Sequence, residues 1–277
     1  MARTTIQLGH LTFLDGADRG GYGWFFRELT DWWGGTANRQ RPVARPQRHG
    51  AFTRARATRA EKVVSFEALY RGRSASEVER AFDELSAVGA ETPVLMTVST
   101  DDGPTWRSVI VEDTSARSTH NRPRGWQTVD VSSDDPRRYR TGTPVTTGPP
   151  SPGQGLVFPA KFPAIWPGGG STGRVTLPNE GRAPSAVSLI LAGGFSSALI
   201  TCVETGARVG IARPVAAGQS VVIENGRATL NGQDISRWLR FREWTEVPGL
   251  LSRTFQLEAS DPVGQPTLTG RVDHAWW

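Results

Sequence analysis

The chain has 277 residues, enough for about two domains, each able to bury a core without disulfide or metal staples. Hydrophobic residues make up 37% and charged residues 21%, which excludes a disordered chain, and 31 Gly with 19 Pro favour short strands and turns over a helical bundle. The formal net charge is +5, but Lys62 and Lys161 are the only lysines; so strong an arginine skew fits a GC-rich coding bias better than a phosphate-binding design, so no specific nucleic-acid partner is expected.

The N-terminus leads into no apolar run of the kind a secretory signal needs, and no stretch approaches the roughly 20 apolar residues of a membrane-spanning helix. Ile6 and Leu8, then Leu11 and Phe13, alternate around Gly9-His10 and predict two strands joined by a turn. The aromatic run 22–26 predicts a half-buried strand that closes at Asp31-Trp32-Trp33-Gly34-Gly35.

From 32 to 60 there is no acidic residue, while Arg39, Arg41, Arg45, Arg48, Arg54, Arg56 and Arg59 fall among prolines. Unpaired like charges with Pro42 and Pro46 argue for an extended loop or arm. Three readings stand for it: a solvated loop, an arm that finds its acids on a neighbouring subunit, and a nucleic-acid contact.

Val64, Phe66, Ala68 and Tyr70 share one face of the next strand. A helix follows. Ser74 or Ser76 can cap it, with Glu77 and Glu79 three residues on, in capping-box spacing. Val78, Ala81, Phe82 and Leu85 form its apolar stripe, and Gly89 its left-handed stop. Runs 94–98, 106–111 and 126–131 complete an α+β first domain, with Trp24, Trp106 and Trp126 assigned mainly to core packing.

The Pro- and Gly-rich segment at about 141–155 reads as a linker, giving domains 1–143 and 144–277. Beyond it, 174–177, 187–191, 199–203 and 221–230 are short strands, the last turning through Asn225-Gly226, a strong hairpin signal. Asn231-Gly232 makes another turn, and 238–244 and 253–257 continue the pattern into a β-sandwich. Cys202, within a strand, reads as a small core residue. The terminal Trp276-Trp277 reads as a docked final strand or a partner contact.

The order of these features resembles the distal tail protein of long-tailed phages, a tail-tip hub or minor tail protein family. The likeness is carried by Tyr22 through Trp33, Arg48-His49-Gly50-Ala51, Tyr70-Arg71-Gly72, the helix, and Asp135-Pro136-Arg137-Arg138-Tyr139. In the second half it is carried by Asn179-Glu180-Gly181-Arg182-Ala183, Leu230-Asn231-Gly232, Trp244, Pro248-Gly249 and Ala275-Trp276-Trp277. The resemblance implies an N-terminal ring-forming domain and a galectin-like second domain. It also implies a homohexameric ring in the virion, at the distal end of the tail, whose partners are the tail tube and tail-tip proteins.

Arg41, Arg45, Arg48 and His49 are the candidate subunit-interface residues. The alternative function is a carbohydrate-binding module that attaches to host surface glycan through Trp238 or Trp244. No enzyme, cofactor or metal is expected: His10, His49, His120 and His274 are isolated, and 194–198 and 153–155 depart from nucleophile-elbow and dinucleotide-loop patterns. Carboxylates paired across a distance leave a cell-wall hydrolase as the third reading.

Overall fold

A computed structural model describes residues 4–16, 21–40, 43–49, 51–52, 57–116, 122–151 and 170–277. The chain forms two compact units, Met1–Arg140 together with Trp277, and Thr141–Trp276. The described residues are mainly β with one α-helix.

In the first unit the strands are β1 (Thr5–Leu8), β2 (Leu11–Asp15), β3 (Gly23–Thr30) and β4 (Lys62–Arg71). Helix α1 (Ala75–Ala87) comes next, then β5 (Val94–Thr100), β6 (Gly103–Ala116), β7 (Arg124–Ser133) and β8 (Arg138–Arg140). Neighbours pair in the order β6-β5-β1-β2-β3-β4-β7, and β7 pairs back onto β6, which closes a barrel. Strand β6 makes closure possible. Its first half pairs with β5, its second with β7, and a register irregularity between Val111 and Asp113 lets the strand bend from one partner to the other. One parallel join, Leu14 with Phe25 and Asp15 with Phe26, links β2 to β3.

The alternation read from the sequence points inward as expected: Ile6, Leu8, Leu11, Phe13, Val64, Phe66 and Ala68 are buried together, and Val98, Val129 and Val131 join them. The apolar stripe of α1 joins the same core. Trp24 stacks on Phe82 of the helix at 5.9 Å and meets Tyr70 edge-on at 4.9 Å, so aromatic contacts tie helix to sheet. Ser74 is the N-cap and accepts from Glu77 N at 3.3 Å. The Glu77 carboxylate returns to Arg73 N rather than to the cap residue's own N–H, so the capping box is only half made. Gly89, at φ +68°, sits just past the helix end.

The second unit contains β9 (Val145–Thr147), β10 (Arg174–Pro178), β11 (Ser185–Ala192), β12 (Ser197–Cys202), β13 (Arg208–Ile211), β14 (Ser220–Glu224) and β15 (Arg227–Leu230). It continues with β16 (Gln233–Asp234), a 3-10 turn (Ser236–Trp238), β17 (Leu239–Arg240), β18 (Glu246–Val247), β19 (Ser252–Ser260), β20 (Thr267–Val272) and β21 (His274–Trp276). One sheet runs β10-β19-β12-β13-β17 and another β16-β15-β14-β11-β20-β9, with β18 added to β11. Both are antiparallel and bury one shared cluster that includes Leu177, Ile200, Phe255, Leu191, Ile223 and Leu268. Cys202 is buried within it.

Asn225 and Gly226 both take positive φ at the hairpin between β14 and β15, as do Asn231 and Gly232 at the next turn. Two expectations shift. The run 238–244 is not a continuous strand: it holds the end of the 3-10 turn, two strand residues and an irregular loop. Within the segment read as a linker, 145–147 pairs with β20. Ala275 bridges to Ala183, so 274–276 does form a final strand in the second unit. The chain's last residue, Trp277, groups with the first unit.

Candidate functional site

Between β3 and β4 the described residues 36–40, 43–49, 51–52 and 57–60 form an irregular two-stranded arm. Arg39 N donates to Thr58 O at 2.8 Å, Ala60 N to Ala37 O at 3.1 Å and Phe52 N to Val43 O at 3.0 Å. At its base Thr36 Oγ1 donates to Ala60 O, and Arg59 Nη1 donates to Thr36 O at 2.9 Å. Pro46 cannot donate to a ladder, in keeping with the isolated bridges Asn38–Arg59 and Ala44–Ala51 among the described residues.

The arm is anchored by a buried cation. Trp32, fully buried, immediately precedes it. Arg107 on β6 is equally buried and sits 5.2 Å from the Trp32 ring. Its Nη2 donates to Trp32 O at 3.0 Å and its Nη1 to Pro136 O at 2.6 Å, while Trp32 Nε1 donates to Thr105 Oγ1. Burial, reinforced by the charge of Arg138, pulls the guanidinium down to about 10. Nε of Arg107 has no hydrogen-bond partner. Nearby, Asp135 accepts from Arg137 Nη2 at 2.7 Å and Tyr139 Oη at 2.6 Å. Burial pushes its carboxyl up, and these hydrogen bonds outweigh burial, holding it below the usual range.

Arg45, Arg48 and His49 all lie exposed at the arm's tip, while Arg41, Arg54 and Arg56 lie outside the described residues. Beside them Val43 and Phe52 are more than half exposed, and the Arg45 guanidinium stands 5.8 Å from the Phe52 ring. Among the described residues, no carboxylate pairs with Arg39, Arg45 or Arg48. On the same unit, α1 turns Glu79, Asp83 and Glu84 outward, with Glu84 touching His10 at 2.8 Å.

In the second unit the outward face of the β10-β19-β12-β13-β17 sheet holds a groove of about 250 Å³. Residues Glu258, Leu199, Gly210 and Arg240 follow one another across it in register. Phe241, at φ +51°, borders the groove, and the Arg208 guanidinium lies 4.4 Å from its ring. The two tryptophans selected from the sequence lie elsewhere. Trp244 packs against the turn at Gly226 and borders a separate small cavity, and Trp238 has Arg237 over its ring at 5.5 Å.

No protein-family profile matches the sequence, and no curated protein is similar to it. Solved structures are. The Dit (gp 19.1) protein of phage SPP1, described as a paradigm of the hub adsorption apparatus in phages infecting Gram-positive bacteria, superposes with a TM-score of 0.64. That match spans 98% of both chains at 13% identity. Chains of the phage P2 baseplate in its activated conformation, with Ca and with Sr, match at TM-scores of 0.56 and 0.57. Each is 10% identical and covers 99% of this chain and 98% of its own. The chain has a Dit-like fold.

Within this Dit-like fold, sequence reasoning found the arm because a run without acids is visible in one dimension. It missed Arg107, which reads as one more surface arginine until β6 is seen to face Trp32. It missed the groove because its walls come from strands up to about 60 residues apart that only pairing brings together.

Proposed function

We propose that this protein is a structural virion subunit of a long-tailed phage. Six copies close into a ring at the distal end of the tail, a hub joining the tail tube to the tip or baseplate proteins. The observation that carries this reading is the match to hub and baseplate chains across nearly the whole length. A closed ring needs two different complementary faces on each subunit. The arm offers exposed cations flanked by Val43 and Phe52, and the acidic outer face of α1 offers a counterpart on the next copy. Arg45, Arg48 and His49 are its proposed interface residues, together with Arg41. Domains 1–143 and 144–277 then divide the work, the first building the ring and the second, a galectin-like sandwich, projecting outward.

The test is the assembly state. Sedimentation and electron microscopy of the purified chain and of tails are expected to show sixfold rings. Arg45→Glu with Arg48→Glu is expected to weaken those rings at least tenfold while leaving the melting of the subunit unchanged. A chain that stays monomeric at high concentration and contributes no ring to tails removes the proposal. Host-glycan attachment is the second reading, and the groove on the second unit is the observation that favours it.

A further inference from the structure

We infer that the groove on the outer face of the β10-β19-β12-β13-β17 sheet is a saccharide site. It takes a neutral hexose-containing glycan between Glu258 and Arg240. This deepens the host-glycan reading and moves it away from Trp238 and Trp244.

The chemistry of the row decides the class of ligand. Strand partners place Glu258 on β19, Leu199 on β12, Gly210 on β13 and Arg240 on β17 side by side on one face. With neighbouring strands about 4.8 Å apart, the two charged positions stand about 14 Å apart at the backbone. Both line the groove, and between them Gly210 adds no side chain to its floor. Among the described residues, neither the Glu258 carboxylate nor the Arg240 guanidinium makes a hydrogen bond or ion pair, and both line the same groove, an acceptor and a donor unused. Ser197 and Ser260 line the same groove.

Phe241 supplies an apolar wall. Its positive φ is rare for a bulky residue, and the surrounding loop holds it there: Glu243 N donates to Phe241 O at 2.7 Å, and Arg242 Nη2 donates to Ser236 O at 2.7 Å. An anion would meet Glu258 and a cation would meet Arg240. A sugar hydroxyl both donates and accepts, so a single pyranose can satisfy carboxylate and guanidinium together while its C–H face lies on Leu199 and Phe241. A cavity of about 250 Å³ suits one or two such rings.

A glycan array, followed by titration calorimetry of the intact chain with glucose, galactose, N-acetylglucosamine, rhamnose and their disaccharides, tests the inference. A β-carbon at Gly210 would meet its nearest atoms at 3.5 Å, an ordinary contact, so Gly210→Leu fills the groove without forcing the backbone apart. The wild-type chain is expected to bind at least one of these sugars. Gly210→Leu and Glu258→Gln are each expected to weaken binding at least about tenfold, with unchanged thermal melting. No sugar bound, equal binding by Gly210→Leu, or loss confined to Trp238→Ala or Trp244→Ala would each overturn the site. Rings are counted on the same samples. A failed sugar assay with intact rings therefore rejects the groove and leaves the hub proposal standing.

Discussion

Asn179 is buried with its amide fully engaged. Its Nδ2 donates to Ala183 O at 2.8 Å and Val247 O at 3.0 Å, and its Oδ1 accepts from Gly181 N at 3.0 Å and Ala275 N at 3.3 Å. One side chain thus stitches a turn to two strands distant in sequence. Asn179→Ala removes one partner from each of four backbone groups at a buried site and is expected to cost about 2–4 kcal/mol, read as a lowered urea midpoint. Asp135 offers a pH test. Its folded carboxyl titrates below its unfolded value, so its bonds to Arg137 and Tyr139 stabilise the fold at neutral pH and are lost as pH falls through the folded pKa. Because the carboxylate is part exposed, Asp135→Asn is expected to cost about 1 kcal/mol at pH 7. The difference from wild type should shrink as pH falls through the folded pKa, which lies below the usual carboxylate range, in acid-denaturation series.

Among elements, α1 is the clearest case of a helix written locally and secured from afar. Its cap, acidic start, apolar stripe and glycine stop all lie within residues 74–89. Such a short helix is marginal alone, and the burial of Val78, Ala81, Phe82 and Leu85 holds it on the sheet. Leu85→Ala is expected to lower stability by about 2–5 kcal/mol by opening a cavity, whereas Ser74→Ala should cost only about 1 kcal/mol. Equal losses in chemical unfolding would show that capping, not packing, carries the helix. The run 238–244 is the opposite case. Its aromatics read as strand, yet Phe241 adopts a left-handed backbone, stabilised by loop hydrogen bonds that no periodicity reports.

At the scale of the whole molecule, assembly should respond to salt. Exposed cations meeting exposed acids are screened over about 10 Å at 0.1 M salt. Rings built through the arm are therefore expected to loosen as salt rises, with a steeper dependence for wild type than for Arg45→Glu with Arg48→Glu. Light scattering across a salt series reads this directly, and salt-independent rings would assign the interface to Val43 and Phe52 instead.

The amino-acid sequence by itself determined the mainly β character, most strand positions, helix α1 with its ends, the Asn-Gly hairpin and the acid-free arm. These are properties of neighbouring residues: side-chain period, positive-φ tolerance, capping and unpaired charge all act within about ten positions. Only the tertiary structure decided that β6 bends to close a barrel, that Arg107 is buried under Trp32, and that Glu258 and Arg240 flank one groove. Each of those depends on pairing between strands far apart in the chain. Such pairing is settled by burial of the shared core rather than by any local preference.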